Sequence, residues 1–229
     1  MVIYMMDRLK RITMFTGNLG SGKTEIAINL ALKMLRAGKK TALVDLDIIN
    51  PYFRTRLVIK KLQEMGLNVI APGGNMVFAD LPALSPAVKG VIENTEIHGV
   101  FDIGGDDVGA AALGRYRDNL PEGQFLMLFV VNTCRPFTRS QEGIIKYLES
   151  IQSASGLKVG GLVGNSNIGL ETGLDTVMEG FDTVSKTARM LGLPVYFVTV
   201  KKELEDSARQ ALGNGVEVFA IDRFMTPPF

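Results

Sequence analysis

Short runs of apolar, often β-branched residues alternate along this chain with longer stretches whose apolar positions recur every three to four residues. The short runs, read as strands, are 11–16, 41–45, 68–71, 99–103, 125–132, 158–164 and 195–200, with a weaker one over 216–221. Most are apolar throughout, which is the pattern of parallel strands covered on both faces. The longer stretches predict helices over 22–37, 53–65, 86–94, 110–119, 139–153, 172–191 and 204–212. In the first of these, Ile26, Leu30, Ala31, Met34 and Leu35 share one stripe, and Gly38 supplies a C-terminal stop. Strand and helix in regular alternation imply right-handed βαβ units. The expected fold is α/β: a three-layer, doubly wound, mostly parallel sheet of about seven or eight strands with helices on both faces. No repeat, low-complexity stretch or linker-like shift divides the chain, so residues 1–229 are expected to form a single domain.

Composition narrows the class without choosing the chemistry. Hydrophobic residues make up 46% of the 229 positions and charged residues 21%, values of an ordinary globular protein. Lys and Arg total 25 against 24 for Asp and Glu, a net charge of +1 that gives no electrostatic case for a nucleic-acid binder. One Cys and one His exclude a disulfide framework and a structural zinc cluster. The opening MVIYMMDRLKR lacks the charge order of a secretory signal, and no run reaches the ~18 apolar residues of a membrane helix. A cytoplasmic protein without a membrane anchor is expected.

The chemistry enters at Gly17-Asn-Leu-Gly-Ser-Gly-Lys-Thr24, which satisfies G-x-x-x-x-G-K-[ST] and falls between a predicted strand and a predicted helix. Glycines let successive backbone N–H groups turn onto an anion, and the helix N-terminus adds positive potential. Gly17, Asn18, Gly20, Ser21, Gly22, Lys23, Thr24 and Glu25 are therefore the expected cradle of a nucleoside triphosphate. Lys23 would neutralise β- and γ-phosphate charge, and the Thr24 hydroxyl would take one position on Mg2+.

Acidic residues lie where neighbouring strands should end. Asp45 and Asp47 close the strand at 41–45, on the side where open α/β sheets bind ligands. One of them is expected to orient the attacking water and the other to support Mg2+ through its hydration shell, making both catalytic candidates with Lys23. Asp102-Ile-Gly-Gly105 ends another apolar strand, so Asp102 reads as a metal-supporting carboxylate. Gly105 would let a backbone N–H approach the γ-phosphate. Thr24, Asp45 and Asp102 thus make the expected Mg2+ set. Asp106 and Asp107 either face away or hold metal. His98 precedes its strand at the far edge and is expected to be structural, as is the lone Cys134.

On these segments the chain resembles the MinD/ParA-type branch of P-loop NTPases, the SIMIBI class that includes nitrogenase iron protein. The likeness rests on Gly17–Thr24, the Asp-Leu-Asp-x-x-x-Pro run at 45–51, Asp102-Ile-Gly-Gly and the strand ending in Asn165. It implies ATP as the nucleotide, with Asn165, or secondarily Asn167, on the adenine base and Lys201 and Lys202 near it. The family's signature lysine, which reaches across a dimer to the partner's nucleotide, is replaced here by Asn18. Arg54, Arg56, Arg115 and Arg117 are candidates to supply that charge. The tail, with Pro227 and Pro228, is expected to pack on the domain or a partner instead of forming a membrane-binding helix.

The leading expectation is a Mg2+-dependent ATPase that works as a homodimeric switch on an unidentified protein partner. A second is a small-molecule ligase or kinase of the same fold, dethiobiotin synthetase-like, with an acceptor pocket around 72–80. A third, a GTP-dependent metal-delivery NTPase, is disfavoured by the lack of His/Cys ligands and of an Asn-Lys-x-Asp guanine-reading element.

Overall fold

A computed structural model of the chain describes residues 5–46, 55–71 and 85–225. Strands β1 (Ile12–Thr16), β2 (Thr41–Leu46), β3 (Asn68–Ile70), β4 (His98–Ile103), β5 (Phe125–Val131), β6 (Gly161–Gly164), β7 (Val195–Lys201) and β8 (Glu217–Ile221) form one sheet. Their order is β3-β2-β4-β1-β5-β6-β7-β8, and every pairing is parallel. The weak run at 216–221 is thus a full edge strand, paired with β7 from Phe197↔Glu217 to Lys201↔Ile221.

Helices α1 (Met5–Arg8), α2 (Lys23–Arg36), α3 (Thr55–Glu64), α4 (Pro86–Glu93), α5 (Asp107–Gly114), α6 (Gln141–Ser155), α7 (Leu174–Leu191) and α8 (Glu205–Leu212) occupy the connections and the amino-terminal stretch. The apolar residues of α1, α2 and α3 pack on one face of the sheet, and those of α4, α5, α6 and α7 on the other. The direction in which strands are added reverses at β1: β2, β3 and β4 lie on one side of it, β5 to β8 on the other. Such a switch point opens a crevice beyond the carboxyl ends of the strands, where α/β sheets take their ligands.

Two departures from the sequence expectation have local causes. The helix expected over 110–119 begins earlier, because the Asp106 carboxylate accepts from Gly109 N at 2.7 Å and caps it. It ends at Gly114, packed so closely on α6 that an added Cβ would sit 2.9 Å from Ser155 O. Helix α2 is also more enclosed than one stripe. Ala27, Ile28 and Leu32 are buried along with Ile26, Leu30, Ala31 and Met34. The tail explains part of this, since Asn29 bonds the main chain of Asp222 in both directions, Nδ2 to O and Oδ1 to N, each at 2.8 Å. Residues 222–225 therefore pack on the protein itself. Among the described residues no helix is long and apolar enough to cross a membrane.

Candidate nucleotide site

The loop between β1 and α2 leaves the centre of the sheet and turns on Gly17, Gly20 and Gly22, all at positive φ. Gly22 caps α2 at φ 90°, where any larger side chain is strained, and a Cβ there would also collide with Asn165 Nδ2. That amide donates to Ser21 O at 2.6 Å, while Asn165 Oδ1 accepts from the Thr199 hydroxyl. Asn165 thus ties β6 and β7 to the loop. The buried Ser21 hydroxyl, inside the arc, has no hydrogen-bond partner, as expected of a group whose acceptor or donor is a ligand.

Lys23 is buried at the mouth of α2, its Nζ donating to Asn18 O at 3.3 Å. Thr24 Oγ1 donates to Asp102 Oδ2 at 2.6 Å, joining the start of α2 to the end of β4. Asp45 is the register partner of Asp102 on β2, and both carboxylates are buried. The hydroxyl and two carboxylates therefore converge beside the loop, an all-oxygen set suited to Mg2+, which keeps most of its shell as water and phosphate oxygen. Among the described residues no group of three Asp, Glu, His or Cys side chains could hold a metal by itself.

Gly105 comes just after β4, directly over the loop. A Cβ on it would collide with Gly17 O and lie 2.9 Å from Lys23 Nζ, so only glycine allows the approach. Its carbonyl accepts from the Tyr147 hydroxyl of α6. Burial, with Asp106 and Asp107 adding to it, pushes the Tyr147 pKa above its ordinary value and keeps the hydroxyl a donor. Asp106 is spent on the α5 cap and Asp107 accepts from Ser150 Oγ at 2.8 Å.

Other sequence candidates are placed differently. The Glu25 carboxylate points to the tail, accepting from Phe224 N at 3.0 Å and Met225 N at 2.7 Å. Its first-turn N–H is what it offers an anion. Asn167 is fixed by Asn132 and by the Asn165 carbonyl. Lys201 bonds Leu170 O at 3.2 Å, and Lys202 pairs with Asp222 at 2.6 Å. Arg115 is the C-cap of α5 and Arg117 lies against Gly156, at the end of α6 that feeds the start of β6, the end of the sheet opposite the loop. Asp47, Arg54, the Arg56 side chain and 72–80 lie outside the described residues.

Besides Tyr147, two residues at this site escaped the sequence reading. Asn132, fully buried at the end of β5, donates to Gly20 O at 3.3 Å and Asn167 O at 3.0 Å, and accepts from Cys134 N and Asn167 N. Arg135, three residues on, donates Nε to Gly20 O at 3.1 Å. The available signal was positional: a polar residue closing an apolar strand, then a cation.

The sequence matches the CobQ/CobB/MinD/ParA nucleotide binding domain over residues 12–221. The chain belongs to this family. As a CobQ/CobB/MinD/ParA member it is a nucleotide-binding P-loop domain of the SIMIBI class, and its likeness to solved structures is one of fold. Cell division protein FtsY from Thermotoga maritima is 20% identical with a TM-score of 0.59, over 85% of this chain and 63% of that one. Chloroplast FtsY from Physcomitrella patens is 19% identical with a TM-score of 0.56, over 83% and 58%. The signal recognition particle 54 kDa protein from Aeropyrum pernix K1, in complex with GDP, is 20% identical with a TM-score of 0.54, over 82% and 40%. The chain thus spans less than two thirds of each of these structures. No curated protein matches it in sequence.

Proposed function

We propose that this family member is a Mg2+-dependent ATPase whose nucleotide state controls a homodimer and, through it, an unidentified protein partner. The reading is carried by the 2.6 Å hydrogen bond from Thr24 to Asp102, with Lys23 beside it in a glycine-turned loop. When Mg2+-ATP binds, Thr24 would ligate the metal, Asp102 and Asp45 would support its hydration shell, and Lys23 would meet the β- and γ-phosphates. Backbone N–H groups of Gly17–Glu25 and of Gly105 would complete the phosphate contacts. Asp47 would orient the attacking water. The metal's contribution is charge neutralisation across the phosphates.

Adenine is favoured over guanine by the residues after Asn165. Reading guanine requires an acceptor for its N1–H and exocyclic amine, and Ile168 stands where an Asn-Lys-x-Asp element carries its carboxylate. A dimer is favoured by exposed apolar side chains on the loops after β1, β5 and β6: Leu19, Phe137 and Leu170, at 67, 69 and 83% exposure. Arg135, beside Gly20, would supply the positive charge that Asn18 lacks.

Lys23→Ala should lose Mg2+-ATP binding in a calorimetric titration, and unchanged turnover in that variant would sink the site. Asp47→Ala should bind Mg2+-ATP and fail to hydrolyse it. Light scattering on Asp47→Ala should then give a dimer in Mg2+-ATP and a monomer in Mg2+-ADP or Mg2+-GTP. One mass in all three would reject the switch.

A further inference from the structure

Gly105 is pinned from two directions. Its Cα lies on the phosphate loop, where an added Cβ would collide with Gly17 O, while its carbonyl is drawn to α6 by the Tyr147 hydroxyl. The Tyr147 ring packs on Phe129 of β5, with centroids 6.2 Å apart, so the hydroxyl is held on a core scaffold and not on a mobile stem. One turn further along α6, Ser150 bonds Asp107 at 2.8 Å. The same helix therefore holds both ends of the segment 105–107.

A peptide carbonyl facing the terminal phosphate would repel it, whereas a peptide N–H attracts it. The peptide that carries the Gly105 carbonyl also carries the Asp106 N–H, and with no side chain on Gly105 it can turn either group inward, so something else must choose. We infer that Tyr147 is a positioning residue for nucleotide discrimination: by holding the Gly105 carbonyl toward α6, its hydroxyl keeps this peptide from presenting oxygen to a γ-phosphate. The inference rests on the nucleotide reading above. It makes the α6 hydroxyl part of how the site tells a triphosphate from a diphosphate. A diphosphate places nothing opposite Gly105 and is indifferent to it.

The test is Tyr147→Phe in the full chain, which removes one oxygen and leaves the ring on Phe129. Affinities for Mg2+-ADP and for the Mg2+ complex of the β,γ-imido analogue of ATP are measured by calorimetry, with Lys23→Ala alongside. The expected result is a roughly fivefold loss for the triphosphate analogue with ADP affinity unchanged, the effect of one hydrogen bond. Equal losses for both nucleotides would mean a merely structural hydroxyl and overturn the inference. So would an unchanged ratio in a variant whose wild type discriminates. A wild type that binds neither nucleotide, with Lys23→Ala indistinguishable from it, would overturn the nucleotide reading itself and this role with it.

Discussion

Glu25 shows how a single side chain can be claimed by tertiary structure. Its neighbours in sequence build the phosphate cradle, yet its carboxylate is bound by amides 199 and 200 positions later. Burial pushes the Glu25 carboxyl above its ordinary value. The Phe224 and Met225 amides and Arg223 oppose this without cancelling it. A carboxyl whose folded pKa is raised holds its proton longer when folded than when unfolded. Its contribution to stability is therefore complete below the unfolded value and is lost as pH rises through the folded one. Glu25→Gln removes this titration while keeping the shape. The melting temperature of wild type relative to Glu25→Gln should fall as pH rises from about 4, near the unfolded carboxylate value, toward neutrality. A difference independent of pH over that range would mean that the tail amides cancel burial, and one that grows would mean that they outweigh it.

At the scale of elements, the phosphate loop is held from outside by the ends of β5 and β6. Asn132 joins Gly20 O, Asn167 and Cys134 through both atoms of its amide, and Asn165 joins Ser21 O and Thr199. Replacing the fully buried Asn132 by Ala leaves several of these groups without partners at once. Unfolding in urea should show a loss of about 2–4 kcal/mol, and a loss under about 0.5 kcal/mol, the level of an ordinary surface change, would show that the loop does not depend on this brace. These braces also mark the limit of what the sequence discloses. Gly17–Thr24 and Asp102 could be named as candidates because the pattern they make is one of local spacing at the end of a strand. Asn132, Arg135 and Tyr147 could not, because their roles depend on β5 lying next to β1 and on the rotation of α6 against the 105–107 segment. Arg115 and Arg117 come soon after Asp102 in sequence, but α5 and the turn after it carry them toward the end of the sheet opposite the loop.

Taken as a whole, the molecule puts one element in contact with both sides of the phosphate site. The segment from Asn132 to Ser150 touches Gly20 through Asn132 and Arg135, then reaches the 105–107 segment through Tyr147 and Ser150. Between these contacts it passes exposed Phe137 at the outer surface. On the proposed function, a triphosphate that tightens the cradle is expected to stiffen α6, whereas Arg11 and Arg117 lie at the amino-terminal end of the strands, away from the loop. Binding to the native state alone adds about 2.7 kcal/mol at a hundredfold excess over Kd, but its distribution is the informative quantity. Hydrogen exchange on Asp47→Ala, with and without Mg2+-ATP, should show added protection in 17–25, 103–107 and 132–150. Amides at 94–98 and 115–120 should not change. Protection limited to the loop would break the link to α6 and leave the switch without a transmitting element. Protection spread evenly over both ends of the sheet would mean that the nucleotide stabilises the sheet globally and that α6 carries nothing of its own.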